Sequence, residues 1–208
     1  RRDGPYGGGA GRRAPAGRDD ARRPPTSGRA PRPPRMISPG AGTIAGMETH
    51  PNVIAVQDAL DAAGARTAED QPSQVIVLDD AVHTAAAAAE ALCVEVGQIA
   101  NSLIFDADGE PLLVLTSGAH RVDTAKVAAA LGVAKLKRAT PEFVRQHTGQ
   151  AIGGVAPLGH PQPVRTLVDT ALERYDTIWA AGGVPRAVFP LTYAELLRVT
   201  AGAATEVA

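Results

Sequence analysis

The chain has 208 residues and a formal net charge of −1, enough for one domain or a domain plus a tail. No stretch approaches the roughly 18 unbroken apolar residues that a membrane span requires, and the first 35 residues hold no apolar core of the kind a secretory signal needs. The single cysteine, Cys93, excludes an internal disulfide and any multi-cysteine metal site, so the composition points to a cytoplasmic protein.

The small net charge hides a split. Residues 1–35 carry ten Arg and three Asp, or +7; the remaining 11 basic and 19 acidic residues sum to −8. Residues 1–46 include Gly7-Gly8-Gly9, Arg22-Arg23-Pro24-Pro25 and Pro31-Arg32-Pro33-Pro34-Arg35. With few large apolar side chains to offset the entropy of ordering, this segment is expected to be a disordered leader. It reads as a basic arm that touches RNA, or as a solvated tail, or as translated upstream sequence ahead of a start at Met36 or Met47. The domain is placed at 47–208.

In chain order, Val53, Val56, Leu60 and Ala63 recur at helical spacing, with Pro51 suited to the first turn and Gly64 to the position past the end. Val75–Leu78 is β-rich, and Thr84–Leu92 is an alanine-rich helix. Cys93, following that helix, is expected to be a core thiol. Ile99–Asp106 and Pro111–Ser117 are apolar runs joined through Asp108-Gly109, a strong hairpin signal. Asp123 can cap a helix over Thr124–Leu131 that Gly132 closes, and Thr140-Pro141-Glu142 opens another that ends by Gly149. Val164–Val168, Thr177–Ala181 and Ala187–Leu191 read as strands, with Trp179 in the core. A last helix follows Thr192, where Glu195 three residues on suggests a capping box. Adjacent hairpin-like strand pairs exclude a purely parallel sheet. The expected fold class is α+β, a mixed and mostly antiparallel sheet with surrounding helices.

The segment folding alone does not explain is Thr148–His160, with four glycines and a proline from Gly149 to His160. Glycines let a backbone approach a ligand and aim N–H groups at an oxygen, although a plain loop favours the same residues. His83, His120, His147 and His160 lie too far apart in sequence to imply a metal site, and neither metal nor cofactor is expected. A Ser-His-Asp set can be drawn from Ser102 or Ser117 with His83 and Asp169, but no Gly-x-Ser-x-Gly elbow supports it. His120-Arg121 fits either a phosphate or ribose contact or an unremarkable turn.

Thr148-Gly149, Gly153-Gly154-Val155 and Pro157-Leu158-Gly159-His160 together resemble the signature loop of the YbaK/prolyl-tRNA-synthetase-associated editing domains. His83-Thr84, Ile99–Phe105, Asp123–Gly132, Asp169 and Leu191–Gly202 fall in matching order, so the resemblance covers roughly residues 51–202. It implies a trans-acting aminoacyl-tRNA deacylase that removes a small amino acid, for instance from proline tRNA. Its partners would be the aminoacyl-tRNA 3′ end and an aminoacyl-tRNA synthetase. The resemblance implies that Gly153, Gly154 and Pro157 hold the substrate carbonyl and that His83 lies near the pocket. Ser102, Gly149, Gly159, His160, His120 and Asp169 complete the candidate substrate-binding set. On this reading Val at position 154 fills the pocket and spares the fold. The chain departs from the family at Asn101, where active members carry Lys. A neutral amide gives hydrogen bonds about half as strong as charged ones. Asn101, Gly153 and Gly154 are therefore the candidate catalytic positions. The alternative is a weakened homologue that binds aminoacyl-tRNA or a small amino-acid ligand; a third reading is hydrolysis of another small ester.

Overall fold

A computed structural model of the chain describes residues 50–208, so the leader proposed for residues 1–46 lies outside the described residues. Five α-helices and eight strands are described: α1 (Pro51–Ala63), β1 (Ile76–Val77), α2 (Ala85–Leu92), β2 (Ile99–Ala107), β3 (Glu110–Ser117), α3 (Thr124–Leu131), β4 (Leu136–Arg138), α4 (Pro141–Thr148), β5 (Arg165–Asp169), β6 (Ile178–Ala181), β7 (Ala187–Leu191), α5 (Tyr193–Thr200) and β8 (Ala203–Thr205). Two short 3-10 turns, Val96–Gln98 and Thr170–Arg174, precede β2 and follow β5.

The helix starts are set by side chains that accept from otherwise orphaned amides. Thr84, Asp123, Thr140 and Thr192 fill this role for α2 to α5, and the His50 ring does so for α1. Gly64, Gly132 and Gly149 end α1, α3 and α4 in the left-handed region. Two helices end there without glycine, at Cys93 (φ 55°) and Ala201 (φ 47°), a backbone that costs a side-chain-bearing residue roughly 1–2 kcal/mol. Cys93 is exposed at that helix end, not a core thiol: the left-handed turn swings it off the apolar face of α2. Only half of the capping box at α5 forms. Thr192 accepts from the Glu195 amide, but the Glu195 carboxylate turns to Arg198 and to the Arg66 amide.

The strands form one mixed sheet in the order β1-β7-β6-β2-β3-β5-β8, with β4 on the far edge of β2. The β2–β3 hairpin turns through Asp108 and Gly109, both at positive φ as a type I′ turn requires. Parallel pairings join β2 to β6, β3 to β5 and β5 to β8, while β1–β7, β2–β3, β2–β4 and β6–β7 are antiparallel.

Alternation along the strands divides the core between two faces. On one face α1, α4, α5 and the glycine-rich segment pack Val56, Leu60, Val144, Ala156 and Leu196 against Ala100, Ile104, Leu113, Leu115 and Val168. On the other, α2 covers Ile99 and Val188, and α3 covers Phe105, Leu112, Val114 and Leu167. Trp179 is half-buried against the α2 cluster. Strand positions 101 and 116 face each other in the register and lie between the α2 and α3 covers. The sheet therefore keeps a polar seam between two helices. Among the described residues no helix is long and apolar enough to cross a membrane.

Candidate functional site

The glycine-rich segment is held by its own side chains. Gln150, fully buried, accepts from the Ala156 amide through Oε1 at 2.6 Å, and His160 Nε2 donates to the Ala156 carbonyl at 2.8 Å. Both backbone groups of Ala156 are thus taken by residues of the same loop. Thr148 Oγ1 accepts from the Gln150 amide and donates to the Val144 carbonyl, which locks the loop onto the last turn of α4. Burial lowers the His160 pKa below 6.5, with the Ala156 bond pulling the other way, so the ring is neutral near pH 7 and its Nε2–H makes this bond. Sequence reasoning does not find Gln150, because a lone Gln between Gly149 and Ala151 carries no motif.

The glycines divide by task. Gly149 closes α4 at φ +70°, and its carbonyl lies 3.5 Å from Asn52 Nδ2, which also reaches the Gly183 carbonyl at 3.3 Å. Gly159 lies against α1, where a Cβ would meet the Ala55 carbonyl oxygen at 3.1 Å. Gly154 lies against the β6–β7 turn: a Cβ there would stand 2.5 Å from the Val184 carbonyl carbon, and its N–H already donates to the Ala151 carbonyl. Gly154 is therefore a packing glycine whose amide is spent inside the loop. The expectation that Val at 154 would spare the fold fails for this reason. Gly153 differs. It is exposed at φ +92°, its amide has no partner among the described residues, and a Cβ would find only His83 Nδ1, at 3.3 Å. Gly153 and His83 are thus brought together at the loop tip, and Pro157 is buried behind it.

Asn101 lies on the sheet face covered by α2, whose first residues follow His83, and stands opposite Thr116. From Thr116 the polar seam continues to Asp169. Asp169 Oδ2 accepts from Thr116 Oγ1 at 3.2 Å, the Ser117 amide at 3.0 Å and His120 Nδ1 at 2.9 Å, and Oδ1 caps the following 3-10 turn through the Ala171 amide. Four donors on one buried carboxylate make it a hub that fixes the ends of β3 and β5. The Ser-His-Asp set drawn from sequence is corrected here. Asp169 pairs with His120 and not with His83, and Ser117 Oγ donates to the Gly97 carbonyl. Ser102 faces the loop side of the sheet, and its hydroxyl is buried with no partner among the described residues. An open cleft of about 530 Å³ lies over His120 and Asp169, with Glu173, Arg174 and Glu206 in its walls. No hydrogen bond among the described residues links that cleft to the glycine-rich loop. His120 and Asp169 thus form one group, and His83 with Gly149–His160 another.

A mixed sheet with a glycine-rich segment clamped after its fourth helix, a seam of Asn101 and Thr116 on one face and a His beside the loop tip defines a small α+β domain. Comparison places it more closely. Residues 79–199, more than half of the chain, match the model of the aminoacyl-tRNA editing domain, and the chain belongs to that family. A protein solved as a candidate trans-editing enzyme for prolyl tRNA synthetase is 40% identical, with a TM-score of 0.69 over 76% of this chain and 97% of that one. YwhH of Bacillus subtilis (strain 168) is 33% identical over 110 residues, 52% of this chain and 69% of that protein. The proline–tRNA ligase of Nitratidesulfovibrio vulgaris (strain DP4) is 35% identical over 100 residues, 48% of this chain but only 17% of the ligase.

Proposed function

We propose that the chain hydrolyses the ester of a mischarged tRNA, removing a small amino acid, with proline tRNA the first carrier to test. The observation that carries this reading is the tip of the clamped loop, where Gly153 presents an unpartnered amide beside His83. A tetrahedral intermediate of ester hydrolysis needs fixed donors aimed at the developing oxyanion. The Gly153 N–H, beside the His83 ring, is one such donor, and the Asn101 amide, on the α2-covered face of the sheet that His83 leads onto, is the candidate for the second. Gly149, Gly159, Pro157 and His160 keep the loop in register with α1 and α4. Asp169 and His120 hold the ends of β3 and β5, beside the seam that carries Asn101. Editing by hydrolysis answers a limit of binding, since one methylene discriminates by only about 1–3 kcal/mol. The candidate trans-editing relative supports action on prolyl tRNA by a domain separate from its synthetase.

Asn101 itself favours a second reading. By the family resemblance it stands where active members carry lysine, and a missing positioned donor costs on the order of 10² to 10³ in rate. A chain that binds aminoacyl-tRNA without releasing the amino acid is the outcome on that reading. Deacylation of mischarged tRNA by the native chain separates the two, and by Asn101→Lys it locates the difference.

A further inference from the structure

Beyond residue 35 the chain holds 11 basic and 19 acidic residues, yet four of those bases, Lys135, Lys137, Arg138 and Arg145, fall within eleven consecutive positions. Lys135, just before β4, and Lys137 and Arg138 within it are exposed, while Leu136 between them is buried in the core. Strand β4 pairs only with β2, so its outer edge is open. None of the four bases makes an ion pair with the described residues. The carboxylates of the neighbouring strand end and turn are held by backbone amides. Asp106, across from Lys137, accepts from the Gly109 amide, and Asp108 accepts from the Ala134 amide. Protection of a sheet edge accounts for one lysine, but not for Arg145, exposed on the next helix.

The direction of this strip matters. β4 runs antiparallel to β2, Ala139 continues it by donating to the Ile104 carbonyl, and α4 then leads to Gly149 at the base of the clamped loop. Eight residues of helix span about 12 Å. A phosphate backbone lying on the strip would bring its end to the loop. We propose that the open edge of β4 and the outer side of α4 bind the sugar-phosphate backbone of the RNA stem whose 3′ end reaches the Gly153 tip. This rests on the reading of that tip as a tRNA-ester site. Double-stranded RNA is recognised through phosphates and shape more than through base edges. Four cations with a single carboxylate among them, Glu142, on an otherwise acidic body supply attraction with a fixed place and direction.

The test measures binding of unacylated proline tRNA to the full chain by fluorescence anisotropy across a salt series. Lys137→Gln/Arg138→Gln and, separately, Lys135→Gln/Arg145→Gln are compared with Arg66→Gln/Lys126→Gln, which removes the same two charges from bases already paired with Asp70 and Glu206. Each strip pair is expected to weaken binding on the order of tenfold at 0.1 M salt. It should also reduce the slope of log K against log salt by about one for each phosphate no longer neutralised. The control pair is expected to change affinity less than about twofold, its charges being neutralised in place. Equal loss in all three variants, no loss in the strip variants, or no binding by the native chain overturns the proposal. Because the readout is binding, a native chain that binds through the strip but releases no amino acid would refute the deacylase reading and leave the surface standing. Hydrolysis with full strip-independent affinity would do the reverse.

Discussion

Replacing Gly154 with Ala adds one methyl group, and the structure says where it must go. Its Cβ would lie 2.5 Å from the Val184 carbonyl carbon, 2.6 Å from Val184 Cα and 2.8 Å from Pro185 N. All three are main-chain atoms, and ordinary carbon contacts fall at about 3.5–4.0 Å, so no side-chain rotation relieves them. The loop and the β6–β7 turn would have to separate by about 1 Å. That turn is anchored, since the Pro185 carbonyl accepts from Val82 and the Arg186 carbonyl from Leu78. Overpacking of this kind costs about 1–3 kcal/mol. In a domain of this size each kcal/mol lowers Tm by about 2–4 °C, so Gly154→Ala should melt about 2–12 °C below the native chain. Calorimetry on the full chain at one pH reads this directly. A variant melting within about 1 °C of native would show that Gly154 has room for a side chain, and would reopen its assignment to the pocket wall.

Gln150→Met keeps the length of the side chain but removes the acceptor for the Ala156 amide. An orphaned buried N–H costs about 1–3 kcal/mol; loss of the unpartnered Gln150 Nε2 offsets part of this, and the net fall should be near 1 kcal/mol. Hydrogen exchange should quicken at the Ala156 amide and not at Val114 in mid-β3; unchanged exchange at Ala156 would mean that Gln150 does not hold the loop. Burial holds the His160 pKa below 6.5, so as pH falls below 6.5 the unfolded chain takes up a proton that the folded chain resists. Stability from the neutral ring is complete above that pH and declines as pH drops toward the lowered folded value. The Tm of the native chain should therefore fall more between pH 7 and 5 than that of His160→Gln, and equal slopes would contradict the burial argument.

Short-range chemistry makes most of this fold legible. Asp123, Thr140 and Thr192 announce their helices because a cap acts within three residues, and Asp108-Gly109 announces the hairpin because only such pairs accept two positive φ values. The parallel contacts of β2 with β6 and β3 with β5 join strands far apart in the chain and leave no local signal. The three-residue strand Ala203–Thr205 escapes sequence reasoning for the same reason, hidden behind the helix that Thr192 starts. The left-handed end of α2 falls on Cys93, where periodicity alone extends the apolar face. In the site, the glycine-rich loop stands out by composition, but the division of its glycines does not. Whether a missing Cβ serves a ligand, a turn or a neighbouring backbone depends on what lies across the gap, here His83 for Gly153 and Val184 for Gly154. The partner of Asp169 is equally hidden, since His120 lies 49 residues away and the set drawn on paper gives it His83.

The central claim is hydrolysis of an aminoacyl ester at the clamped loop, and it is met most directly by incubating the full chain with mischarged tRNAs, small amino acids on proline tRNA first. The native chain should release the amino acid. Asn101→Ala should slow release on the order of 10²-fold, as expected for loss of one positioned donor, and Asn101→Lys should release at least as fast as native. Release by Asn101→Lys alone would mean a pocket kept for binding, with turnover lost at one position. No release by any form, on any mischarged tRNA in the panel, would contradict the account.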